Sequence, residues 1–240
     1  MIPRAAELFS GSGVLAKALG ACYVPCWAFD SIDGKGGDLA ASKTQASVLQ
    51  AIRLRFWRLA WLGRPCTSLS RARSGAPPMP APVRSSSCPW GLSTLATKND
   101  ALLLKYHNKL ISFIFKVIRA CLKAKVIFVL ENPRSSILWC FPFIQWLTRN
   151  NLAWRIEVDF CAFGTPWRKS TTLLSNSPSL RYIECRCGGK GGICGISKQP
   201  HQVLNGKDPT GVWWTRRAQA YPKKFAARAA QLLAPLALKP

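Results

Sequence analysis

The chain has 240 residues, with 34 lysines and arginines against 10 aspartates and glutamates, for a formal charge of +24. With 48% hydrophobic residues it can build one domain with a full core and a small appendage, which excludes an intrinsically disordered chain. The charge excess points to a polyanionic partner, most simply nucleic acid held through its phosphates; a membrane surface is the other polyanion, and no long amphipathic basic helix supports it.

The longest apolar region, Leu110 to Leu130, is interrupted by Lys116, Arg119, Lys123 and Lys125, so no transmembrane helix is expected. Met1-Ile2-Pro3-Arg4 shows no secretory pattern. The ten cysteines are scattered, which fits reduced thiols in the nucleus or cytoplasm better than a secreted disulfide framework.

Ala5 to Phe9 reads as a short strand ending in Ser10-Gly11-Ser12-Gly13, with a helix over Val14 to Leu19. Strand, glycine turn and helix start are the parts of a nucleotide-cofactor loop: glycines admit close backbone approach, and the helix N-terminus offers free N–H groups. A plain tight turn is the alternative. A second strand, Tyr23 to Phe29, ends in Asp30, where Rossmann-type folds grip ribose hydroxyls, unless the carboxylate is only a cap. Gly34 to Asp38 is a loop, and Thr44 to Arg53 a helix with Val48 and Ile52 inward.

Phe56 to Leu62 is a buried strand leading into Gly63-Arg64-Pro65-Cys66-Thr67-Ser68-Leu69-Ser70. Pro65 fixes its own φ and holds Arg64 extended. Cys66 then stands in a turn at the C-terminal end of a central strand, where a thiol is placed to attack a substrate in a crevice. Arg71 to Thr97 holds Pro77, Pro78, Pro80, Pro82 and Pro89 and reads as a long loop, either a mobile lid behind the thiol or a linker.

Asn99 or Asp100 can cap a helix reaching about Leu122. Val126 to Leu130 is the continuous apolar run of a fully buried parallel strand, and it ends in Glu131-Asn132-Pro133. A carboxylate at that mouth is costly without a partner or a task. Ser136 to Leu147 reads as a helix, Trp154 to Phe160 as a strand, and Leu173 to Ser175 as another strand after a turn bearing Arg168 and Lys169. Between Ser177 and Thr215 the chain is loop-like and glycine-rich; Cys185, Cys187, Cys194 and His201 there can close a tetrahedral zinc site, or remain unliganded thiols. Lys223 to Leu233 is an amphipathic basic helix.

In order, these stretches resemble the DNA cytosine-5 methyltransferase family. Glu7-Leu8-Phe9-Ser10-Gly11-Ser12-Gly13 looks like its first motif, which holds S-adenosylmethionine. Asp30 matches the acid that binds the cofactor ribose, and Gly37-Asp38-Leu39 is similar to the motif whose aspartate faces the adenine. Pro65-Cys66 matches the catalytic proline-cysteine pair, with Ser70 at the serine that follows, and Glu131-Asn132 matches the glutamate-asparagine pair. Phe163-Gly164-Thr165-Pro166 is similar to the start of a later basic motif, and Gln219 to Leu233 to the closing motif. The run from Pro65 to Arg73 resembles a divergent branch associated with phages and mobile elements.

The resemblance implies an α/β fold: a doubly wound, mostly parallel Rossmann-like methyltransferase sheet over residues 1–176, with 71–97 as a mobile catalytic loop. A short Cys/Gly-rich insertion over 177–215 stands in place of a target-recognition domain, and 216–240 return to the core as a helix. S-adenosylmethionine would lie on Phe9, Gly11, Gly13, Asp30, Asp38 and Pro65. Cys66 would be the nucleophile, Glu131 the group that protonates the base, Asn132 a positioning group and Arg168 the cation beside the thiol. The partner would be DNA, with RNA as the alternative polymer.

The chain departs from that pattern in four places. Trp167, Lys169 and Thr171 occupy positions where the family carries a glutamine and two arginines, and Arg168 falls between them. Asp30 and Asp38 are so close that the usual intervening helix is missing, and the third sheet strand is absent or replaced. The 177–215 segment is too short for a full recognition domain, and no ninth motif is evident. A catalytically degenerate methylase-fold module that binds nucleic acid is therefore the competing expectation.

Overall fold

The computed structural model describes residues 3–30, 37–63, 66–70, 73 and 80–239. Its strands are β1 (Ala5–Leu8), β2 (Cys26–Phe29), β3 (Leu59–Leu62), β4 (Ile127–Pro133), β5 (Trp154–Asp159) and β6 (Ser170–Ser175), forming one six-stranded sheet in the order β2-β1-β3-β4-β6-β5. β2, β1, β3 and β4 pair in parallel, while β6 runs antiparallel to both β4 and β5. The fold is thus mixed α/β and mostly parallel, as the alternation of apolar runs and amphipathic segments requires.

Helices cover both faces. The α1 (Val14–Ala21) and α6 (Lys223–Ala237) helices pack together on one face, burying Leu15, Leu19, Phe225, Ala229 and Leu233 against Ala5, Trp61, Val129 and Leu173. On the other face α2 (Ser42–Arg53), α3 (Lys98–Ala124) and α4 (Pro142–Arg149) cover Ala6, Leu8, Ala60, Phe128, Leu130 and Leu174. Alternation along each strand divides its side chains between the two cores. Fully buried aromatics such as Trp57, Trp61, Phe113, Phe128 and Phe225 each contribute about 1.5–3 kcal/mol by leaving water.

Several boundaries differ from the sequence-based ones for local reasons. β2 starts at Cys26, because Tyr23 takes a positive φ of 60°. β3 starts at Leu59, because the chain leaves α2 through Arg55 at φ 57°. The helix expected over Ser136 to Leu147 is a 3₁₀ turn, Ile137–Cys140, followed by α4; Phe141 between them is extended, as a residue before proline tends to be. The cap of α3 is Thr97 rather than Asn99 or Asp100. Its hydroxyl accepts from the Asp100 N–H at 3.1 Å and donates to Asp100 Oδ2 at 2.8 Å, a reciprocal cap worth about 1 kcal/mol.

A short helix, α5 (Trp214–Arg217), was not expected from the sequence. No strand lies between β2 and α2 among the described residues. Among the described residues, no helix is long and apolar enough to cross a membrane.

Candidate active site and cysteine cluster

Register brings the predicted residues to one edge of the sheet. Leu8 pairs with Phe29 and with Leu62, and Leu62 pairs with Leu130. The next residues, Phe9, Asp30, Gly63 and Glu131, therefore stand at a common level: the first three leave their strands there, while Glu131 stays in β4 and pairs with Leu173 of β6. The Ser10 N–H donates to the Phe29 carbonyl at 3.0 Å and the Gly63 N–H to the Leu8 carbonyl at 3.1 Å, which extends the ladder past the strands.

At β1, Phe9, Gly11 and Gly13 take positive φ values of 62°, 52° and 64°. A Cβ added at Gly11 or Gly13 would meet nothing within 4 Å, so the glycines answer a backbone requirement and leave open space over the turn. Asp30 Oδ2 accepts from the Gly11 N–H at 2.7 Å and so braces the turn. Asp38 Oδ1 accepts from the Ala40 N–H at 2.8 Å in the approach to α2. Glu7 lies beneath the turn, its Oε2 accepting from the Ala16 N–H at 2.8 Å. Burial pushes its carboxyl up to about 7, opposed by the Ala16 N–H and aided by Asp30, and its buried Oε1 has no hydrogen-bond partner among the described residues.

Cys66 lies just past β3, between the β1 turn and the end of β4, and is half-buried. The Leu69 N–H closes a turn on the Cys66 carbonyl at 2.8 Å, and the Ile137 N–H donates to the Leu69 carbonyl at 3.0 Å. Pro65 lies outside the described residues. Arg84, only 2% exposed, supports the turn: its Nε donates to Ser68 Oγ at 3.2 Å and its Nη1 to the Pro89 carbonyl and Asn108 Oδ1. Burial lowers this guanidinium to about 10. A cleft of about 300 Å³ beside the turn is lined by Ser68, Ser70, Arg73, Arg84, Ser85 and Ser86. Arg73 is also ion-paired with Asp100. The described part of the 71–97 loop is thus anchored at two arginines.

Glu131 is 6% exposed and, by strand alternation, shares the α1/α6 face with Val129. Trp61 Nε1 donates to the Tyr221 hydroxyl at 3.0 Å, and that hydroxyl donates to Glu131 Oε2 at 3.2 Å. Indole nitrogen only donates, which fixes the direction of this relay. Burial raises the Glu131 carboxyl, partly offset by the Lys169 ammonium and the Tyr221 hydrogen bond. Its second oxygen is buried with no hydrogen-bond partner among the described residues. The site therefore favours a protonated carboxyl with one oxygen held and one left over. Gly63 makes room for Tyr221: a Cβ there would stand 2.5 Å from the hydroxyl. Asn132 is fully buried and, one residue on, projects to the opposite face of β4.

Arg168 belongs to a different cluster. Its Nε donates to Asp159 Oδ2 at 3.0 Å and its Nη2 to the Cys187 carbonyl at 3.0 Å. Asp159 also accepts from the Cys187 N–H at 2.8 Å and from the Ser170 hydroxyl. Burial alone would raise the Asp159 carboxyl, but Ser170, the Cys187 N–H and Arg168 hold it below its usual value. The cation acting on Glu131 is its neighbour Lys169, whose Nζ also donates to the Ala218 carbonyl at 2.6 Å and lies 5.0 Å from the Phe160 ring.

The expected ligand set of Cys185, Cys187, Cys194 and His201 is corrected in one member. Ligand atoms of Cys161, Cys187, Cys194 and His201 all lie within 4.8 Å of one another. Cys185 is outside that group because its backbone pairs alongside β5: its N–H donates to the Glu157 carbonyl and its carbonyl accepts from the Asp159 N–H. Cys161 enters because it sits in the 3₁₀ turn Phe160–Phe163 directly after β5.

Reading the sequence alone misses Glu7 as the buried acid beneath the β1 turn, Tyr221 as the partner of Glu131, Arg84 as the support of the Cys66 turn, and Cys161. The signals were present: an acid inside an apolar strand, Tyr221-Pro222 ahead of a helix, and a cysteine adjoining a strand end. No protein-family profile and no curated protein matches this sequence.

Proposed function

We propose that the chain is an S-adenosylmethionine-dependent methyltransferase that modifies carbon 5 of cytosine in DNA, on a Rossmann-like sheet. The observation that carries this reading is Glu131: a buried carboxyl with a raised affinity for its proton, at the end of the strand beside the one that leads to Cys66. Cytosine carbon 5 is a weak nucleophile, and activating it takes a thiol to add at carbon 6 and an acid for ring nitrogen 3.

The β1 turn suits the cofactor on two counts. Space is open over Gly11 and Gly13, and a cationic amino group brought to the partnerless Glu7 Oε1 would draw off the proton that burial favours and pair with the carboxylate. Phe9, Gly11, Gly13 and Glu7 would hold the cofactor, and Asp30 would brace them through Gly11. When bound, the cofactor supplies an electrophilic methyl group.

The chain's own residues do the rest. The Cys66 thiolate bonds to carbon 6 as Glu131 gives its proton to nitrogen 3, and the displaced electron pair becomes available at carbon 5. Once carbon 5 carries the methyl group, its hydrogen leaves as a proton to a base. The sulfur–carbon bond then breaks, the ring double bond returns, and the nitrogen proton goes back to Glu131. The Ser70, Ser85 and Ser86 hydroxyls lining the cleft beside the Cys66 turn suit the phosphates of the strand, while its two arginines hold the cleft in shape through Asp100, Ser68 and Asn108.

The reading is tested with an oligonucleotide carrying 5-fluorocytosine, which cannot lose its carbon-5 substituent as a proton. With cofactor present, the expected result is a covalent protein–DNA band under denaturing conditions, absent for Cys66→Ser. No band from the folded chain, or one that Cys66→Ser retains, overturns it. A second reading, a methylase fold kept only to bind nucleic acid, is favoured by one observation: Arg168 is held by Asp159 and Cys187. It predicts a steeply salt-dependent mobility shift that Cys66→Ser leaves unchanged.

A further inference from the structure

We propose that Cys161, Cys187, Cys194 and His201 hold one structural zinc ion, which fastens the 177–215 segment to the turn between β5 and β6. The geometry suits that metal. Cys187 Sγ lies 3.8 Å from Cys194 Sγ and 3.6 Å from His201 Nε2. A tetrahedral zinc with Zn–S of about 2.3 Å and Zn–N of about 2.1 Å spaces such pairs about 3.8 Å and about 3.6 Å apart. A disulfide would need its sulfurs at about 2.05 Å. The set is closed, with four protein ligands, three of them sulfur, so it is structural and leaves no position for a substrate.

The surrounding chain is shaped around these sulfurs. The Gly195 N–H points at Cys187 Sγ at 3.2 Å and the Ser197 N–H at Cys194 Sγ at 3.5 Å, so two backbone amides are aimed at the sulfurs from the same loop. A Cβ at Gly189 would fall 1.9 Å from the Ile193 carbonyl oxygen, and one at Gly195 would fall 2.7 Å from the Gly189 nitrogen. The loop can wrap the site this closely because both positions lack a side chain. Asp159 and Arg168 take the N–H and the carbonyl of Cys187, an outer shell that fixes one ligand from both sides. Three thiolates and one dication leave a net charge of about −1, which faces the Arg168 guanidinium.

Leu180 and Ile183 seat the start of the segment in the α1/α6 core and Cys185 pairs alongside β5, but from Cys187 to Trp213 the buried apolar side chains among the described residues are those of Cys187 and Cys194 alone. The three cysteines form their own small buried cluster, separate from the two cores of the sheet. Cross-linking them to His201 through a metal would supply folding energy that burial there does not.

The experiment uses the full chain purified from zinc-replete medium. Elemental analysis is expected to give about one zinc per chain, and replacement by cobalt to give visible ligand-field bands with thiolate charge transfer. Cys187→Ser, Cys194→Ser and His201→Ala should each lower metal content by at least about tenfold, while Cys185→Ser retains it. Cys161→His guards against simple misfolding: it should keep the ligand-field bands and lose about one third of the charge-transfer intensity. The proposal is overturned by a folded chain that takes up neither metal, by a Cys187–Cys194 disulfide in the purified protein, or by metal lost in Cys185→Ser and kept in Cys161→Ser. Metal content is read without any methyl-transfer assay, so this outcome is independent of the proposed activity.

Discussion

Tyr221 and Glu131, 90 positions apart, share a hydrogen bond of 3.2 Å that fastens the entry to α6 onto the end of β4. Trp61 stands behind it, donating to the same hydroxyl. Tyr221→Phe leaves the Trp61 N–H without its acceptor and removes the donor that favours the Glu131 carboxylate. The expected loss of stability is about 1–3 kcal/mol, read by urea denaturation. Removing that donor raises the Glu131 carboxyl further, so it stays protonated to higher pH. The alkaline limb of the pH profile for Cys66 adduct formation should therefore move upward; a downward move contradicts the assignment of Glu131 as the acid.

Gly63→Ala tests the packing that sets this bond. The new methyl group would stand 2.5 Å from the Tyr221 hydroxyl and 3.4 Å from the Phe9 carbonyl oxygen. The expected cost is about 1–3 kcal/mol from overpacking. Because Tyr221→Phe removes the atom in the way, the two changes together should cost less than their sum, by about 0.5 kcal/mol or more.

Glu7 gives the fold a pH dependence of its own. Its carboxyl rises from 4.5 to about 7 in the folded chain, so the folded state holds that proton more tightly than the unfolded one. The stabilisation is complete below the unfolded value and is lost as pH climbs through about 7, up to about 3 kcal/mol in all. Glu7→Gln keeps an acceptor for the Ala16 N–H and removes the titration. Its unfolding free energy should fall less steeply than that of the parent chain between about pH 5 and about pH 7, by the share that Glu7 contributes. A parent chain that gains stability over that range contradicts the burial of a protonated Glu7.

Arg168 and Lys169 should separate cleanly. Arg168→Ala removes a bond to the Cys187 carbonyl and the partner of Asp159, so metal affinity should fall about 10–100-fold. Lys169→Met removes the ammonium that lowers the Glu131 carboxyl, so it should raise the alkaline limb of adduct formation and leave metal content unchanged. The reverse pattern would return Arg168 to the cleft.

The sheet was legible because its central strands are short unbroken apolar runs, and because Cys66 and Glu131 sit where such runs stop. Register then aligned those stops, which no local pattern encodes. Strand starts were less legible, since Tyr23 and Arg55 adopt positive φ and delay the strands that follow. The ligand exchange of Cys185 for Cys161 was hidden because it depends on backbone pairing between Val158 and Cys185, 27 positions apart. Tyr221 is a long-range partner too, and sequence spacing carries nothing about which strand end a helix entry will reach.

One peptide bond separates the Arg168 side chain, which grips the cysteine loop, from the Lys169 side chain, which faces the buried acid. The spacing of the two clusters is thereby set by covalent geometry: neither cation can be moved along the chain without displacing the other from its partner.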